Sequence, residues 1–336
     1  YVTFGTIWPL TGPIAAMGGW MDAGADLAIE EINTKWNAPL GGIIVNGQRY
    51  YLKRAHYDDA GDPAKSPVGF RKLVEQYDPP FIIGPLGTPQ SWAVSPVSLE
   101  LKQLFEAFSA SDKTRRLGNP YLFQSRHPAN YLGAQMAEAA FAKGWKKYAI
   151  IADVSEAYAS WAQVFQDRMA QLGGTLIGKE VVDTKTTTDY RSIMTRFNAD
   201  KPDVIVLLAY EEPNATMVLH AREVGYKGFF FGNDNFTQTA IGIAGAKNVA
   251  GSLVDAWPTN YYVDHPEEPG AAAVQYLYGL YKSKYPGKPW HNLVPTTWND
   301  TLLFARAMEV AGSVTDDLKI RRAMDQAARD IRSRST

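Results

Sequence analysis

The chain has 336 residues, with 34 Lys and Arg balanced by 35 Asp and Glu, and no Cys. That length suits about two domains, each with its own core, and the balanced charge argues against nucleic acid or an anionic membrane as partner. The missing thiols exclude thiolate catalysis, cysteine-ligated zinc and disulfides.

Taken in order, Tyr1 to Trp8 predicts a strand, Pro9 to Pro13 a turn carrying Thr11, and Gly18 to Thr34 a helix with Met21, Ala25, Ala28, Ile29 and Ile32 on one face. Asn46-Gly47 marks a tight reversal before a strand from Tyr50 to Tyr57. Asp62 and Pro63 open a helix that runs to about Tyr77. Phe81, Ile82 and Ile83 read as a short buried strand stopped by Gly84-Pro85. A turn with Leu86, Gly87 and Thr88 leads into a helix through Trp92, Ala93, Val94 and Val97, and a strand from Gln103 to Phe108 ends in Ser109-Ala110-Ser111. This alternation implies a parallel sheet with helices on both faces.

Asn119 to Gln124 reads as a crossing segment, after which the pattern restarts. Helices at 129–143, 156–172, 190–199 and 212–224 alternate with strands at 147–152, 175–182, 203–209 and 229–232. An extended segment from Val249 to Ala256 precedes helices at 270–285, 295–311 and 315–328. The fold class expected is α/β, two doubly wound, Rossmann-like lobes joined by a hinge. Lobe 1 comprises 1–122 plus 254–336, lobe 2 comprises 123–253, and a ligand cleft is expected between them. The longest apolar runs are strand-length, far short of a membrane span. The chain opens on a strand at Tyr1 without Met, as an exported product whose signal peptide has been removed would.

Ligands bind beyond the carboxyl ends of strands in open parallel sheets. The first lobe offers Trp8, Thr11, Thr88, Ser109 and Ser111 there; the second offers Asp153, Tyr158, Tyr210 and Asp234. Hydroxyls and turn amides on one side, with aromatic rings and a carboxylate on the other, form an anion socket opposite a cation anchor, which suits an α-amino acid. Each residue has an ordinary alternative: Thr88 as a helix cap, Ser111 as a cap before Lys113, Asp234 as a turn former, the tyrosines as core. His56, His127, His220, His265 and His291 are scattered without metal spacing. Dinucleotide, P-loop, zincin and nucleophile-elbow motifs are all missing, so neither a cofactor nor catalysis is expected.

The runs GTIWPLTGPIAAMG (Gly5 to Gly18), AIEEIN (Ala28 to Asn33), YDDAGDP (Tyr57 to Pro63), IIGPLGTPQS (Ile82 to Ser91) and YEEPNATMVLHAREVG (Tyr210 to Gly225) resemble the leucine/isoleucine/valine-binding proteins. These are extracytoplasmic, periplasmic receptors of ABC importers with the type I periplasmic-binding-protein fold. The resemblance implies that Thr88 binds the ligand carboxylate and that Ser109, Ala110 and Ser111 supply backbone and hydroxyl contacts. It implies that Asp234 meets the ammonium, that Tyr158 and Tyr210 close over the ligand, and that Met17, Trp8, Leu86 and Gly87 shape the pocket. The partners it implies are an amino acid or related carboxylate and a membrane-bound ABC permease, with no nucleic acid.

The sequence also departs from that family. Gly61 and Gly87 stand where some members carry a disulfide pair, Trp8 is bulky for its place, and Asp234 replaces the usual Glu. The stretch before Tyr158 is one residue longer, and the chain ends at IRSRST where members continue into a further strand pair. Alternative functions kept open are an aromatic or aliphatic carboxylate or amide as ligand, and a role as ligand sensor.

Overall fold

The computed structural model describes residues 1–126, 129–255 and 258–334. His127, Ala256, Ser335 and Thr336 lie outside them. In chain order the elements are β1 (Val2–Ile7), α1 (Ala15–Thr34), β2 (Ile43–Val45), β3 (Gln48–Tyr50), β4 (Leu52–Tyr57), α2 (Ser66–Tyr77), β5 (Ile82–Leu86), α3 (Thr88–Leu101), β6 (Phe105–Phe108) and β7 (Leu122–Phe123). A single 3-10 turn, Thr114–Arg116, lies between β6 and β7. There follow α4 (Ala129–Ala142), β8 (Lys147–Asp153), α5 (Glu156–Leu172), β9 (Thr175–Val182), α6 (Arg191–Ala199), β10 (Val204–Leu208), α7 (Glu211–Glu223), β11 (Phe229–Gly232), α8 (Gln238–Ala244), α9 (Ala246–Val249) and β12 (Leu253–Val254). The chain closes with α10 (Pro258–Asp264), α11 (Ala271–Lys284), α12 (Leu293–Ala311) and α13 (Asp317–Arg334).

The chain divides into two compact units. Unit 1 comprises Tyr1–Ser109, Lys113–Arg126 and Pro258–Thr336; unit 2 comprises Ala110–Asp112 and His127–Trp257. The sheet of unit 1 runs β4-β1-β5-β6-β7, and every neighbouring pair is parallel. Alternate residues of its strands face opposite helical layers, as the two-residue period of a strand requires. Phe4, Phe81 and Ile83 pack with the α1, α12 and α13 side, whereas Ile7, Ile82 and Phe105 pack with Phe70 and Leu73 of α2 and Val94 of α3.

Unit 2 repeats the plan with β12-β11-β10-β8-β9, again all parallel. Tyr148, Ile150 and Ala152 of β8 face Trp161 and Phe165 of α5, while Ala149 and Ile151 face the α6 and α7 side. Trp161 is fully buried, so truncating it to Ala is expected to cost about 3–5 kcal/mol. Gly173, at φ 89, ends α5 in the left-handed conformation that a side chain would resist.

Gly84-Pro85 does not stop β5, contrary to the sequence expectation; the strand continues through both residues to Leu86. Pro85 has no N–H for the ladder, and the pairing with β6 shifts register between Ile83 and Leu86 to accommodate it. The Gly84 N–H is satisfied instead by Glu106 Oε2 at 3.2 Å. Helix α2 starts at Ser66, later than Asp62-Pro63 suggests, because Asp62 uses its side chain on the Ala64 N–H in a tight turn. The segment 119–124 contains β7, an edge strand paired to β6. Helices α8, α9 and α10 are short and stand where the sequence suggests none. Among the described residues no helix is long and apolar enough to cross a membrane, and no three His, Asp or Glu side chains gather as a metal site would need.

Candidate functional site

Numbering only the major strands of each unit by sequence, both sheets have the order 2-1-3-4-5, so the connections reverse direction between the first and third strands. That switch point is where an open α/β sheet opens a crevice at its carboxyl edge. In unit 1 it lies between β1 and β5, and in unit 2 between β8 and β10.

At the unit 1 switch point, α3 begins at Thr88 with Gly87 as its N-cap at φ 115, and no side chain caps it. Thr88, 5% exposed, is therefore not spent as a helix cap. Its Oγ1 lies 2.9 Å from Ser109 Oγ at the end of β6, and Ser109 Oγ lies 2.7 Å from Thr114 Oγ1. Pro89 has no N–H, so the amides of Thr88 and Gln90 are the donors of this first turn. Gln90 ties two loops together: its Nε2 donates to Gly61 O at 2.6 Å, and a Cβ at Gly87 would come within 2.4 Å of its Oε1. The polar amide thus occupies the space between the two glycines.

The loop after β1 is anchored on Asp58, which accepts from the Leu10 N–H at 2.9 Å and from the Thr11 hydroxyl. Trp8 is fully buried and donates its indole N–H to Asp22 Oδ1 at 3.3 Å, beneath the Arg54 guanidinium. Met17 is partly buried against the unit 1 core, and Leu86 is buried in it. Sequence reasoning did not single out Arg126 or His291 as a pair. The Arg126 guanidinium stands 5.3 Å over the Phe108 ring at the end of β6. Burial, with the Arg126 charge added, pushes His291 down to about 3, so its ring is neutral. That ring stacks on Trp20 at 4.0 Å and 3°.

Beneath this edge lies a buried pair of carboxyls. Glu106 of β6 is fully buried and accepts from the Ser125 hydroxyl at 2.5 Å; Asp300 of α12 accepts from the same hydroxyl at 3.4 Å. Burial raises Glu106 to about 7, and burial together with the neighbouring Glu106 raises Asp300 well above its ordinary range. The two cannot both ionise cheaply, so one proton is held between them near neutral pH.

In unit 2, Tyr158 of α5 and Tyr210, the N-cap of α7, meet edge to face at 5.4 Å and 88°. Asp234, 9% exposed, sits in Asn233-Asp234-Asn235 after β11. Both flanking amides are buried and committed. Asn233 Nδ2 donates to Ala209 O at 3.1 Å, and Asn233 Oδ1 accepts from Asn214 Nδ2 at 2.8 Å. Asn235 Nδ2 donates to the Tyr158 phenol oxygen. Asp153 accepts from the Thr184 N–H and hydroxyl, closing the β8 and β9 loops on each other. Ala110 and Ser111, also buried, belong to the stretch Ala110–Asp112.

Thr88 and Ser109 are therefore brought together in unit 1, and Tyr158, Tyr210 and Asn235 in unit 2. The contacts of Gln90 and Asn235 went unread in the sequence, because their partners Gly61 and Tyr158 lie 29 and 77 positions away and neither carries a motif.

The family model for the periplasmic binding proteins matches residues 1–332. A Leu/Ile/Val-binding protein, BraC3, from Rhizobium johnstonii is 27% identical over 257 residues, which span 75% of this chain and 66% of that relative. Among solved structures, the leucine-binding protein LivK of Thermotoga maritima superposes with a TM-score of 0.81 at 22% identity, covering 96% of this chain and 87% of that one. A solute-binding protein of an R. palustris ABC transporter, in complex with 4-hydroxybenzoate, gives 0.78 at 19% identity, covering 96% and 84%. The fold is thus the type I periplasmic-binding-protein fold, and the chain belongs to the periplasmic binding protein family.

Proposed function

We propose that the chain is the extracytoplasmic solute receptor of an ABC importer and holds an apolar α-amino acid of the branched-chain kind. The observation that carries this is the chemistry at the strand ends of the two sheets: Thr88 and Ser109 with the first amides of α3 in unit 1, and in unit 2 Asp234 after β11 and the paired rings of Tyr158 and Tyr210. The first set suits a carboxylate and the second an ammonium with an apolar neighbour. Ser111 and Ala110 add backbone and hydroxyl contacts, while Met17, Trp8, Leu86 and Gly87 bound the side-chain space. Together the two chemistries match the opposite charges of one zwitterion, which such a receptor delivers to a membrane permease. No bond is made or broken.

Charge-assisted hydrogen bonds contribute about 1.5–3 kcal/mol each, so four or five of them, less ordering costs, reach roughly micromolar affinity. A thermal-shift screen of amino acids and aromatic acids tests this. Leucine, isoleucine or valine at about a thousandfold excess over Kd should stabilise the protein by about 4 kcal/mol. A second reading, an aromatic carboxylate as ligand, is favoured by the flat Tyr158 and Tyr210 walls and by the 4-hydroxybenzoate held in a protein of the same fold. Stabilisation by benzoates but by no amino acid would replace the first reading with the second; no response to either class would sink both.

A further inference from the structure

Asn292 is the N-cap residue of α12, a place where an Asn side chain ordinarily accepts from the second or third amide of the helix. Here neither is on offer. The Val294 N–H donates to His291 O at 3.1 Å, and Pro295 has no N–H. The amides on either side of them are also committed, Leu293 to His291 Nδ1 at 3.1 Å and Thr296 to the Asn292 carbonyl at 3.2 Å. The Asn292 side chain accordingly makes no cap, and its Oδ1 is buried without a hydrogen-bond partner among the described residues. The residue is 6% exposed. A buried acceptor left without a donor costs stability that an apolar side chain of the same shape would not, so nothing in the fold calls for Asn at this position.

Its place in unit 1 points to the ligand. Helices α1 and α12 run side by side in the same direction: Trp20 stacks on His291, a Cβ at Gly24 would come within 2.3 Å of Val294 O, and Trp36 donates to Glu309. Because α1 follows the loop that leaves the carboxyl end of β1, the start of α12 stands at the same edge of the sheet as that loop and Thr88. The group that would satisfy Oδ1 is narrowly defined. An anionic oxygen cannot, because Oδ1 only accepts. A cation is disfavoured, because the Arg126 charge is felt at the adjacent His291 ring, which burial first of all keeps neutral. A neutral donor remains, and a hydroxyl is the least bulky. We propose that Asn292 is a specificity-determining residue whose Oδ1 accepts from a hydroxyl on the ligand, so that the chain selects the hydroxylated member of its ligand class. The inference rests on the reading above that a small carboxylate or amino acid binds at this edge, and it narrows that class. An analogue lacking the hydroxyl is rejected because it leaves the buried acceptor unpaired.

Calorimetry of threonine against valine, tyrosine against phenylalanine and 4-hydroxybenzoate against benzoate tests this on the wild type and on Asn292→Leu. In the pair that binds, the wild type should favour the hydroxylated member by about tenfold or more. Asn292→Leu should cut that preference to under about twofold by weakening the hydroxylated member alone. Binding without a preference in the wild type, a preference that survives in Asn292→Leu, or an equal loss of both members there each overturns the role of Asn292 and leaves the carboxylate reading standing. Binding of none of the six overturns that reading and the inference together. Stability supplies a second readout. Asn292 is already helical, at φ -59 and ψ -20, and caps nothing, so Leu keeps the backbone and the urea midpoint of the ligand-free protein should hold or rise. A clear fall in that midpoint would show that the carboxamide serves the fold, through a buried water for example, and would overturn the proposal.

Discussion

The two units share one strand order and differ in what they place at equivalent points of it. After the fourth major strand, unit 1 carries Ser109 and unit 2 carries Asn233-Asp234-Asn235. After the third, unit 1 carries Thr88 and unit 2 Tyr210. The architecture thus supplies two equivalent strand-end edges, and a few side chains make them chemically different. Their buried polar groups differ in the same spirit. Behind its carboxyl edge unit 1 encloses the Glu106 and Asp300 carboxyls on one serine hydroxyl, whereas unit 2 flanks Asp234 with the buried Asn233 and Asn235 amides. A duplicated fold is therefore a poor guide to chemistry and a good guide to where chemistry is placed.

The largest effect should come from removing the charge that most separates the two edges. Asp234→Ala is expected to lose more than about 2 kcal/mol of affinity for the preferred amino acid by calorimetry, since it leaves an ammonium desolvated without its counter-charge. Affinity equal to the wild type would mean that unit 2 does not hold the ammonium. Binding of a benzoate untouched by the same change would shift weight to the aromatic-acid reading.

A smaller effect separates the units by pH. Burial raises Glu106 from 4.5 to about 7, so between those values the folded chain holds a proton that the unfolded chain has released. Stability falls with rising pH wherever the folded state binds more protons, so unit 1 should weaken as pH climbs from about 4.5 to about 7, with Asp317, which burial also raises to about 7, adding to the fall. Glu106→Gln keeps the shape and removes the titration. It should reduce that slope in urea melts, leaving the share of Asp317, and stabilise the protein at pH 8 by about 1 kcal/mol, a fraction of the price of ionising two adjacent buried carboxyls. A slope unchanged by the substitution would show that the carboxyl pair is not the source of the difference.

Much of the scaffold was legible because parallel strands buried on both faces read as short apolar runs. Val204 to Leu208 and Tyr148 to Ala152 announce themselves in that way, and Glu156–Leu172 and Thr175–Val182 fall where the sequence puts them. Gly84-Pro85 misled because a missing donor ends a strand only when the ladder has no slack, and here the register shifts around it. The short helices α8 and α9 have too few residues to show a period, although Thr237 does cap α8 through the Thr239 N–H. Of the site, the residues at strand ends could be listed from sequence but not their couplings. Ser125 reaches Asp300 across 175 positions, and Thr114 sits in KTRR, where nothing in the sequence distinguishes its buried hydroxyl from an exposed one.

The finest test of the comparison concerns how each crevice fixes its polar groups, by hydroxyls in unit 1 and by carboxamides in unit 2. Asn235 donates to the Tyr158 phenol, so the ring's hydroxyl proton is directed away from the amide and the Tyr158 and Tyr210 pair keeps its edge-to-face setting. Asn235→Ala removes that donor while leaving Asp234 in the chain, and it should weaken ligand binding by about threefold to tenfold, the value of one neutral hydrogen bond. The loss should reappear in Tyr158→Phe and should not grow in the double variant, because both changes cut the same bond. Additive losses would mean that Asn235 and Tyr158 act on the ligand separately, and the carboxamide bracket would then be a feature of the turn rather than of the site.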